Sequence, residues 1–376
     1  MPPATGGGPR LSDRQRLAWL RLIRTPNVGP ASFRELINRF GSAEAALDAL
    51  PELVRNGGGR TVRVTSVEQA AAEIERAGKA GARFVAVGEP DYPALLRQMG
   101  HAPPLLAVKG TAAVFTLPAV AIVGARNASL AGMKFARQLS AGLGREGFAI
   151  VSGLARGIDT AAHNGALDSG TVAAMAGGLD RPYPPENAGL LEDIAAKGGA
   201  AVSEMPFGWA PRAQDFPRRN RLVAGMALGL VVVEAARRSG SLISARLAGE
   251  MGRIVFAVPG SPLDPRAEGT NRLLKDGAVL VTDVRDVLDT IAPMLGRAPE
   301  PSPELDEPIG ATAPPASASG DERARIAEML GPAPVTIDEL IRHSGLPAAT
   351  VHLVLLELDL AGRLERHAGG SVSILL

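Results

Sequence analysis

Three stretches of the sequence place arginine beside glycine, small polar or aromatic residues. Two of them, Gly124–Ser129 and Ser152–Asp159, follow an apolar run and lead into a predicted helix. The third, Asp215–Arg221, carries three arginines in four positions beside Phe216. Glycine lets the backbone approach an anion, arginine neutralises it, and a following helix adds the positive end of its dipole. This combination predicts phosphate binding.

Two shorter segments add small hydroxyl and backbone donors after later apolar runs, at Arg238–Ser241 and Pro259–Ser261. The carboxyl ends of parallel strands meet at one edge of a sheet, so we expect all five segments to form one rim. The residues of these segments that are predicted to contact the phosphate-bearing ligand are Gly124, Arg126, Asn127, Ser129, Gly153, Arg156, Gly157, Arg218, Arg219, Asn220, Arg221, Ser239, Gly240 and Ser241.

The sequence argues against most enzymatic chemistry at this rim. There is no cysteine, so thiolate zinc sites and cysteine nucleophiles are excluded. The spacing at Gly124–Ser129 is neither that of a P-loop nor the dinucleotide G-x-G-x-x-G fingerprint, and no G-K-S/T occurs in the chain, so phosphate binding is expected without nucleotide hydrolysis. Asp159 is interpreted as a helix cap and His163 as a structural histidine, because no second acid, base or nucleophile lies nearby at a motif-like spacing. We expect no catalytic residue, metal or cofactor.

Several arginine loops along one edge are typical of a groove that follows a repeating phosphate backbone, as in single-strand binding. Aromatic residues make up only 3% of the chain, so few stacking platforms are expected. Binding should therefore depend mainly on phosphates and weaken with salt. The whole chain has a net charge of +1, whereas residues 121–280 hold 18 Lys+Arg against 14 Asp+Glu.

The residues that carry this chemistry lie in a region of short apolar runs alternating with amphipathic stretches. Runs that are apolar throughout indicate strands covered on both faces. Residues 83–288 therefore predict an α/β fold with a doubly wound, extended Rossmann-like sheet. The nine predicted strands are Arg83–Val87, Leu105–Val108, Val120–Val123, Ala149–Val151, Thr171–Met175, Ala200–Ser203, Gly229–Val233, Ile254–Val258 and Ala278–Val281.

The flanking sequences predict two small helical modules. Residues 12–50 have helical periodicity broken at Thr25–Pro30, which is typical of a SAM or helix–hairpin–helix-like module or of an ordinary helix connection. Pro293–Gly320 is rich in Pro, Ala and Ser and predicts a linker. Three helices and a hairpin after Asp321 predict a winged helix. The predicted domains are the helical module 10–80, the core 81–292, the linker 293–320 and the winged helix 321–376.

Targeting signals are not evident. The N-terminus lacks a signal-peptide core, and no window of about 18 apolar residues occurs. Together with the absence of cysteine, this predicts a soluble cytoplasmic protein with no membrane association.

As an ordered set, the motifs resemble the DNA processing protein A family (DprA, also called Smf). The resemblance is dense from about Asp91 to Val281, and its main motifs are VAIVGARNASLAG, SGLARGIDTAAHNGAL, AMAGGLDRPYPPEN and FPRRNRLVAGMALGLVVVEAARRSGSLISARLAGEMGRIVFAVPGS. It implies a dimeric single-stranded-DNA-binding protein of natural transformation and DNA uptake. Such a protein protects incoming strands and loads the RecA recombinase while displacing single-strand-binding protein. The family is not known as an enzyme.

The resemblance also carries residue roles. It implies that Arg126 lies in the DNA pocket, and that Arg219 and Arg221 belong to the same pocket through the F-P-x-R-N-R motif. Arg218 stands at the variable position of that motif. The family often brings another basic residue to the pocket from the region of Arg212.

Two alternative functions, an enzyme and a regulator that binds duplex DNA, stay open from the sequence. A Rossmann-like nucleotide phosphoribohydrolase of the lysine-decarboxylase-like type would share the fold, but its P-G-G-x-G-T-x-x-E loop is missing here. A duplex-DNA regulator would use the winged helix, whose predicted recognition helix Ala348–Ala361 has only His352 as a possible cation. We interpret the winged helix as a partner-binding or weak DNA-binding module.

Overall fold

The computed structural model describes residues 10–295 and 317–375. These residues form two compact units. The first, here called the core unit, comprises Arg10 and residues 73–295. The second, here called the terminal unit, combines residues 11–72 with residues 317–375.

Helices and strands alternate through the core unit, whereas helices dominate the terminal unit. The helices are α1 (Asp13–Arg24), α2 (Pro30–Phe40), α3 (Ala43–Asn56), α4 (Val67–Lys79), α5 (Ala94–Arg97), α6 (Leu130–Arg145), α7 (Ile158–Gly165), α8 (Ala188–Ala196), α9 (Asp215–Gly225), α10 (Gly240–Glu250), α11 (Glu268–Lys275), α12 (Val284–Ile291), α13 (Gly320–Met329), α14 (Ile337–Ser344) and α15 (Ala348–Leu360). The strands are β1 (Ala82–Ala86), β2 (Leu105–Gly110), β3 (Ala119–Val123), β4 (Ala149–Ser152), β5 (Thr171–Ala174), β6 (Ala200–Ser203), β7 (Gly229–Val232), β8 (Ile254–Ala257), β9 (Val279–Leu280), β10 (Val335–Thr336), β11 (Leu364–His367) and β12 (Ser371–Ile374).

The core unit is built on one nine-stranded sheet with the order β1-β2-β6-β5-β4-β3-β7-β8-β9. Strand β2 runs antiparallel to β1 and β6, and the remaining neighbours run parallel. The order reverses between β3 and β7, which are adjacent in the sheet although β4, β5 and β6 lie between them along the chain. Such a reversal opens a crevice at the carboxyl ends of the two strands, where doubly wound folds bind ligands.

Burial explains why the central strands are apolar at every position. All residues of β3, β4, β5, β6 and β7 are buried, as expected when helices cover both faces of a sheet. Val120, Ile122 and Ile150 share one core with residues of α6, α7 and α12. The remaining helices include α9 and α10, which pack on each other, and α10 also packs on β7. The α/β doubly wound fold predicted from the sequence is confirmed.

The terminal unit combines helices α1–α3 with a winged helix made of α13–α15 and the small sheet β10-β12-β11. The break predicted at Thr25–Pro30 is confirmed, since α1 ends at Arg24 and Gly29 caps α2 with Pro30 in its first position. Trp19 of α1 packs edge-on against Phe33 of α2, with ring centroids 5.0 Å apart. Helix α15 packs on α3 and α2, so both ends of the described chain share one apolar core.

One predicted element needs correction. The sequence predicts that the arginines of Asp215–Arg221 lie in a rim segment like the other loops, whereas in the structure this stretch forms the first turns of α9. Pro217 does not prevent this, because an N–H group in the first turn of a helix has no intrahelical acceptor to lose. Helices α4, α5, α8 and α12 were not predicted.

The predicted domain boundaries stay predictions. Most of the predicted linker 293–320 lies outside the described residues, which stop at 295 and resume at 317. In the part of the chain that the structure describes, none of the helices has the length and apolar character needed to cross a membrane.

A buried carboxyl group in the terminal unit makes its stability pH-dependent. Glu35 of α2 lies beside Arg366 of β11, with 3.4 Å between Oε2 and Nη2, and its Oε1 is buried without a hydrogen-bond partner among the described residues. Burial raises the pKa of Glu35 from 4.5 to about 7; Asp359 acts in the same direction, and the charges of Arg366 and Arg39 oppose it. The folded unit therefore holds a proton that the unfolded chain releases.

We predict that the contribution of Glu35 to stability is fully present below about pH 4.5 and is lost as the pH rises through about 7. The slope should reach at most about 1.4 kcal/mol per pH unit. Glu35→Gln should remove this part of the pH dependence, and exposed Glu52→Gln should not. Denaturant unfolding monitored by Trp19 in a Trp209→Phe background would measure it; equal slopes in all three chains would contradict the assignment.

Candidate nucleic-acid interface

A crevice opens where the carboxyl ends of β3, β4 and β7 meet the first turns of α9 and α10. It contains a cavity of about 780 Å³, next to a second cavity of about 450 Å³, and the two share several lining residues. The predicted contact residues that line the larger cavity are Gly124, Arg126, Asn127, Gly153, Arg219, Asn220, Ser239, Gly240 and Ser241. Arg156 lines the smaller one. The other five, Ser129, Gly157, Arg212, Arg218 and Arg221, line neither cavity.

Glycines allow the first two strand-end loops to touch. Gly157 has a φ of 74°, and a Cβ at this position would overlap the carbonyl oxygen of Ala125. A Cβ on Gly124 would lie 2.6 Å from Cγ1 of Ile158. The role of these glycines is therefore to bring the loop that carries Arg126 against the loop that carries Arg156.

Arg126 and two aromatic rings form the mouth that the cavities share. The guanidinium of Arg126 lies over the ring of Phe216, with 5.1 Å from Cζ to the centroid. Tyr183 meets the same ring edge-on at 5.5 Å and is 47% exposed. Rings and guanidinium planes at the mouth of a cationic pocket are suited to stack a nucleobase while the charge faces a phosphate.

Sequence reasoning missed this aromatic pair as part of the site. The 3% aromatic content led us to expect few stacking platforms, but a low total does not prevent two rings from meeting at one place. The signal was present in the motifs themselves, because Phe216 directly precedes Pro217 and the arginine cluster, and Tyr183 lies in the R-P-Y-P-P-E-N segment.

Arg219 lies beneath the mouth and holds the second loop in place. Only 6% of it is exposed, and its Nη1 donates to the carbonyl oxygens of Gly153 and Ala174, the latter at 2.9 Å. Burial lowers its pKa, and the charge of buried Asp159 opposes that change. Asp159 in turn accepts from the N–H of Gly153 at 3.1 Å. The predicted DNA contact of Arg219 stays a prediction, and the hydrogen bonds observed give it a positioning role.

His163 supports the same loop as a neutral imidazole. Its Nε2 accepts from the N–H of Leu154 at 3.3 Å, which assigns the proton to Nδ1, 2.8 Å from the hydroxyl of Thr171. That hydroxyl donates to the carbonyl of Ile150. Leu154 has a φ of 57°, a left-handed conformation that is costly for leucine and needs such support. These contacts agree with the interpretation of His163 as a structural residue.

Glu204 pairs with two of the three arginines clustered at the start of α9. Its buried carboxylate accepts from Nε of Arg218 at 2.8 Å and from Nη2 of Arg221. Arg221 also donates to the carbonyl of His101 at 2.7 Å, and its side chain is only 16% exposed, against 46% for Arg218. The sequence suggested that three clustered arginines need an anion; for two of them this anion is an internal carboxylate.

An internal carboxylate also occupies the N-terminus of α6, where the sequence predicted a bound phosphate. Glu234 accepts from the backbone N–H of Ser129 at 2.9 Å and from its hydroxyl at 2.5 Å, while that hydroxyl caps α6 by accepting from Gly132. The donors of Ser129 are therefore engaged within the protein. Its assignment as a DNA ligand stays a prediction without geometric support.

The remaining predicted residues differ in how open they are. Arg156 is exposed, with its guanidinium 3.5 Å from Glu186, and Arg212 lies 4.5 Å above the ring of Trp209. On the far wall, the hydroxyls of Ser239 and Ser241 lie 2.7 Å apart at the start of α10. Among the cations that line the larger cavity, Arg126 and Arg238 are exposed, whereas Arg219 is buried.

Comparison with known proteins agrees with this architecture. The model of the family described as DNA recombination-mediator protein A matches residues 83–292, which is more than half of the chain. The chain belongs to this family. A DprA-like N-terminal HHH domain matches residues 13–76, and a DprA winged helix domain matches residues 310–370. The resemblance inferred from the motifs is thus confirmed.

Individual relatives extend the match over nearly the whole chain. A putative DNA processing protein DprA of Mycobacterium tuberculosis is 36% identical over 381 residues, covering 95% of this chain and 94% of that protein. The X-ray structure of DNA processing protein A from Streptococcus pneumoniae aligns at a TM-score of 0.57 and 34% identity, covering 70% of this chain and 86% of the other.

A second solved structure bears on the crevice. DNA processing protein A from Helicobacter pylori, whose structure is described as giving insights into its single-stranded DNA binding mode, aligns at a TM-score of 0.51. It is 29% identical, and the alignment covers 54% of this chain and 94% of that one.

The state of His163 gives a prediction about pH. Burial, with a smaller effect of the Arg219 charge, lowers the pKa of His163 from 6.5 to about 3. The unfolded chain binds a proton near pH 6.5 and the folded chain does not. The unfolding free energy should therefore fall as the pH drops from about 6.5 to about 3, by at most about 1.4 kcal/mol per unit from this group.

Heteronuclear NMR of the imidazole nitrogens would test this. We expect His163 to remain the neutral Nδ1–H tautomer from pH 7.5 to 5, and His163→Gln to flatten the acid limb of the stability curve. Protonation of His163 in the folded protein near pH 6.5 would contradict the assignment.

Proposed function

We propose that this protein binds single-stranded DNA in the crevice at the carboxyl edge of the core sheet and transfers it to the RecA recombinase. The observation that carries the proposal is the guanidinium of Arg126 seated on Phe216, with Tyr183 beside it, at the mouth of two joined cavities. Single strands present unstacked bases and phosphates together, so a mouth with rings and a cation suits them.

The charge balance of the crevice supports a small number of phosphate contacts. Asp159, Glu204 and Glu234 neutralise cations or occupy donors from within the protein. Arg126, Arg156 and Arg238 remain exposed at the two cavities. With about three contacts of this kind, the logarithm of affinity should fall with the logarithm of salt concentration by roughly 0.7 per phosphate on single strands.

The wider function is proposed from the family. The family model that matches residues 83–292 is described as DNA recombination-mediator protein A. We propose that this protein, as such a mediator, accepts strands that single-strand-binding protein covers and leaves them accessible to RecA. We propose homodimerisation, protection of incoming strands during natural transformation and a cytoplasmic location on the same basis. Binding that relies on bases and a few phosphates leaves most of the backbone of a long strand available for a second protein.

The phosphoribohydrolase alternative receives no support from the site. Within the described ranges, no group of three or more His, Cys, Asp or Glu residues could hold a metal ion. The acidic side chains at the crevice are engaged with backbone N–H groups, a hydroxyl or arginines. Release of free base from nucleoside monophosphates by the purified protein would contradict the proposal that this is a binding protein.

Removing Arg126 tests the central contact. We expect Arg126→Ala to weaken binding to oligothymidine by about 1–3 kcal/mol, or roughly 5- to 150-fold, and to reduce the salt slope by about 0.7. The matched control is Arg145→Ala, which removes an exposed arginine from the other end of α6. Fluorescence anisotropy across a salt series measures both quantities, and equal affinities for the two variants would refute the site.

Removing the ring of Phe216 tests stacking separately from charge. Phe216→Leu should cost about 1–3 kcal/mol of single-strand affinity with little change in salt slope, since no phosphate contact is deleted. The control Phe115→Leu changes a partly buried phenylalanine that lies outside the crevice cavities. A large change in salt slope with Phe216→Leu would show that the ring acts only by placing Arg126.

A further inference from the structure

The recognition helix of the winged helix, α15, exposes few of its side chains. Only Ala348, Ala349 and His352 are exposed along it, and Asp359 is partly buried. A helix that enters the major groove presents polar or basic side chains to base edges and phosphates. Helix α15 is apolar around nearly its whole circumference, which is typical of a helix covered on every side.

The N-terminal helices cover the face of α15 that its own domain leaves open. Helix α15 packs on α3 and α2. At the end of α3, Gly57 lies so close to α15 that a Cβ there would overlap the carbonyl oxygen of Glu357 and lie 3.0 Å from Cβ of Ala361. Other residues could adopt the φ of −74° found at Gly57, so backbone conformation does not require a glycine here. The close approach of α15 is what requires it.

Polar contacts at this interface are made between backbone groups and side chains of the two modules. Asn27 donates to the carbonyl of Leu360 at 3.0 Å, and Arg363 donates to the carbonyl of Gly57 at 3.2 Å. Asn27 belongs to the turn between α1 and α2, which is the hairpin turn of the HHH module. The same turn uses its N–H groups internally, since Val28 donates to Thr25 and Gly29 donates to Ser32.

A buried carboxylate also requires both modules. Glu357 is 1% exposed; it accepts two bonds from Arg323 of its own domain, at 2.7 and 2.8 Å, and one from Asn56 of α3 at 3.2 Å. A buried charge is tolerated only when its hydrogen bonds are satisfied. The N-terminal module supplies one of these bonds, so it completes the environment of Glu357.

We propose that the hairpin turn of the HHH module and the recognition helix of the winged helix are docking surfaces for each other, and that neither reads DNA in this protein. The partner of the winged helix is the chain's own N-terminal module. Charge favours the pairing, because residues 11–72 carry nine arginines against six acidic residues, and residues 317–375 carry five arginines against eight acidic residues. An acidic winged helix repels phosphate and attracts the basic module.

An engineered disulfide tests docking in the full-length chain, which contains no native cysteine. A Cβ on Gly59 would lie 3.3 Å from Cβ of Ala361, slightly below the usual separation in disulfides of about 3.5–4.5 Å, and 2.6 Å from Cγ1 of Val54. All crosslinking chains therefore carry Val54→Ala, which removes that Cγ1. Gly59→Cys combined with Ala361→Cys should form an intramolecular crosslink under mild oxidation, seen as a mobility shift at monomer mass. Absence of a crosslink in this chain, or a crosslink between two chains, would overturn the proposal.

Two further measurements of the crosslinking rate distinguish docking between the modules from DNA binding at the same surface. Adding Gly57→Ala should slow the crosslinking at least tenfold, because its methyl group meets the backbone of α15, whereas Gly320→Ala, which has open space around its Cβ, should not. Saturating duplex DNA should leave the rate unchanged. A slower rate with duplex would mean that nucleic acid competes for the same surface, and would overturn the proposal.

The core unit provides the folding control. Oligothymidine affinity of the Gly57→Ala chain should match that of the parent, because the crevice lies wholly in the core unit. The outcome for docking does not depend on the function proposed for the crevice: crosslinking can succeed when Arg126→Ala has no effect on single-strand binding, and it can fail when the effect is large.

Discussion

The geometry of the crevice depends on one buried cation. The guanidinium of Arg219 bonds the carbonyls of Gly153 and Ala174, which follow β4 and end β5, and its charge is balanced by Asp159. A charge at this depth is stable only with such partners, so α9 has one permitted rotation about its axis. Phe216 lies three residues earlier on the same helical face and is therefore turned toward the crevice. Arg218 and Arg221, also three apart, share a different face and meet Glu204.

Internal carboxylates decide which arginines remain open to a ligand. Glu204 and Glu234 occupy donors that the sequence assigned to an external anion, so the number of arginines overstates the number of phosphate contacts. What remains is an exposed guanidinium seated on an aromatic ring. The ring holds the guanidinium plane in position, which lowers the entropy cost of binding a base or phosphate there.

The sequence was sufficient for the fold and for the location of the crevice. Strands such as β3 and β4 can be recognised in the sequence as short runs of apolar residues, because every side chain in them is buried. The glycines that follow them mark the strand ends. The pairing of charges was beyond sequence reasoning. Arg219 and Gly153 are 66 residues apart, and Ser129 and Glu234 are 105 residues apart, so no local pattern connects them. The aromatic pair was missed for the same reason, since Tyr183 reaches Phe216 only through the fold.

The apolar character of α15 sets a limit on how the terminal unit can behave. A helix with leucine or valine on all sides must be covered on all sides, and the winged helix alone covers only part of it. Separation from α2 and α3 would expose that remaining face together with the buried carboxylate of Glu357, at a cost that no exposed basic residue on α15 offsets. Nucleic acid carries no apolar surface of the right shape to replace α3, and the carboxylates of Glu357 and Asp359 offer its phosphates no hydrogen-bond donor. The docked arrangement is therefore the stable state of these two modules, and the proposed single-strand binding is assigned to the core unit alone.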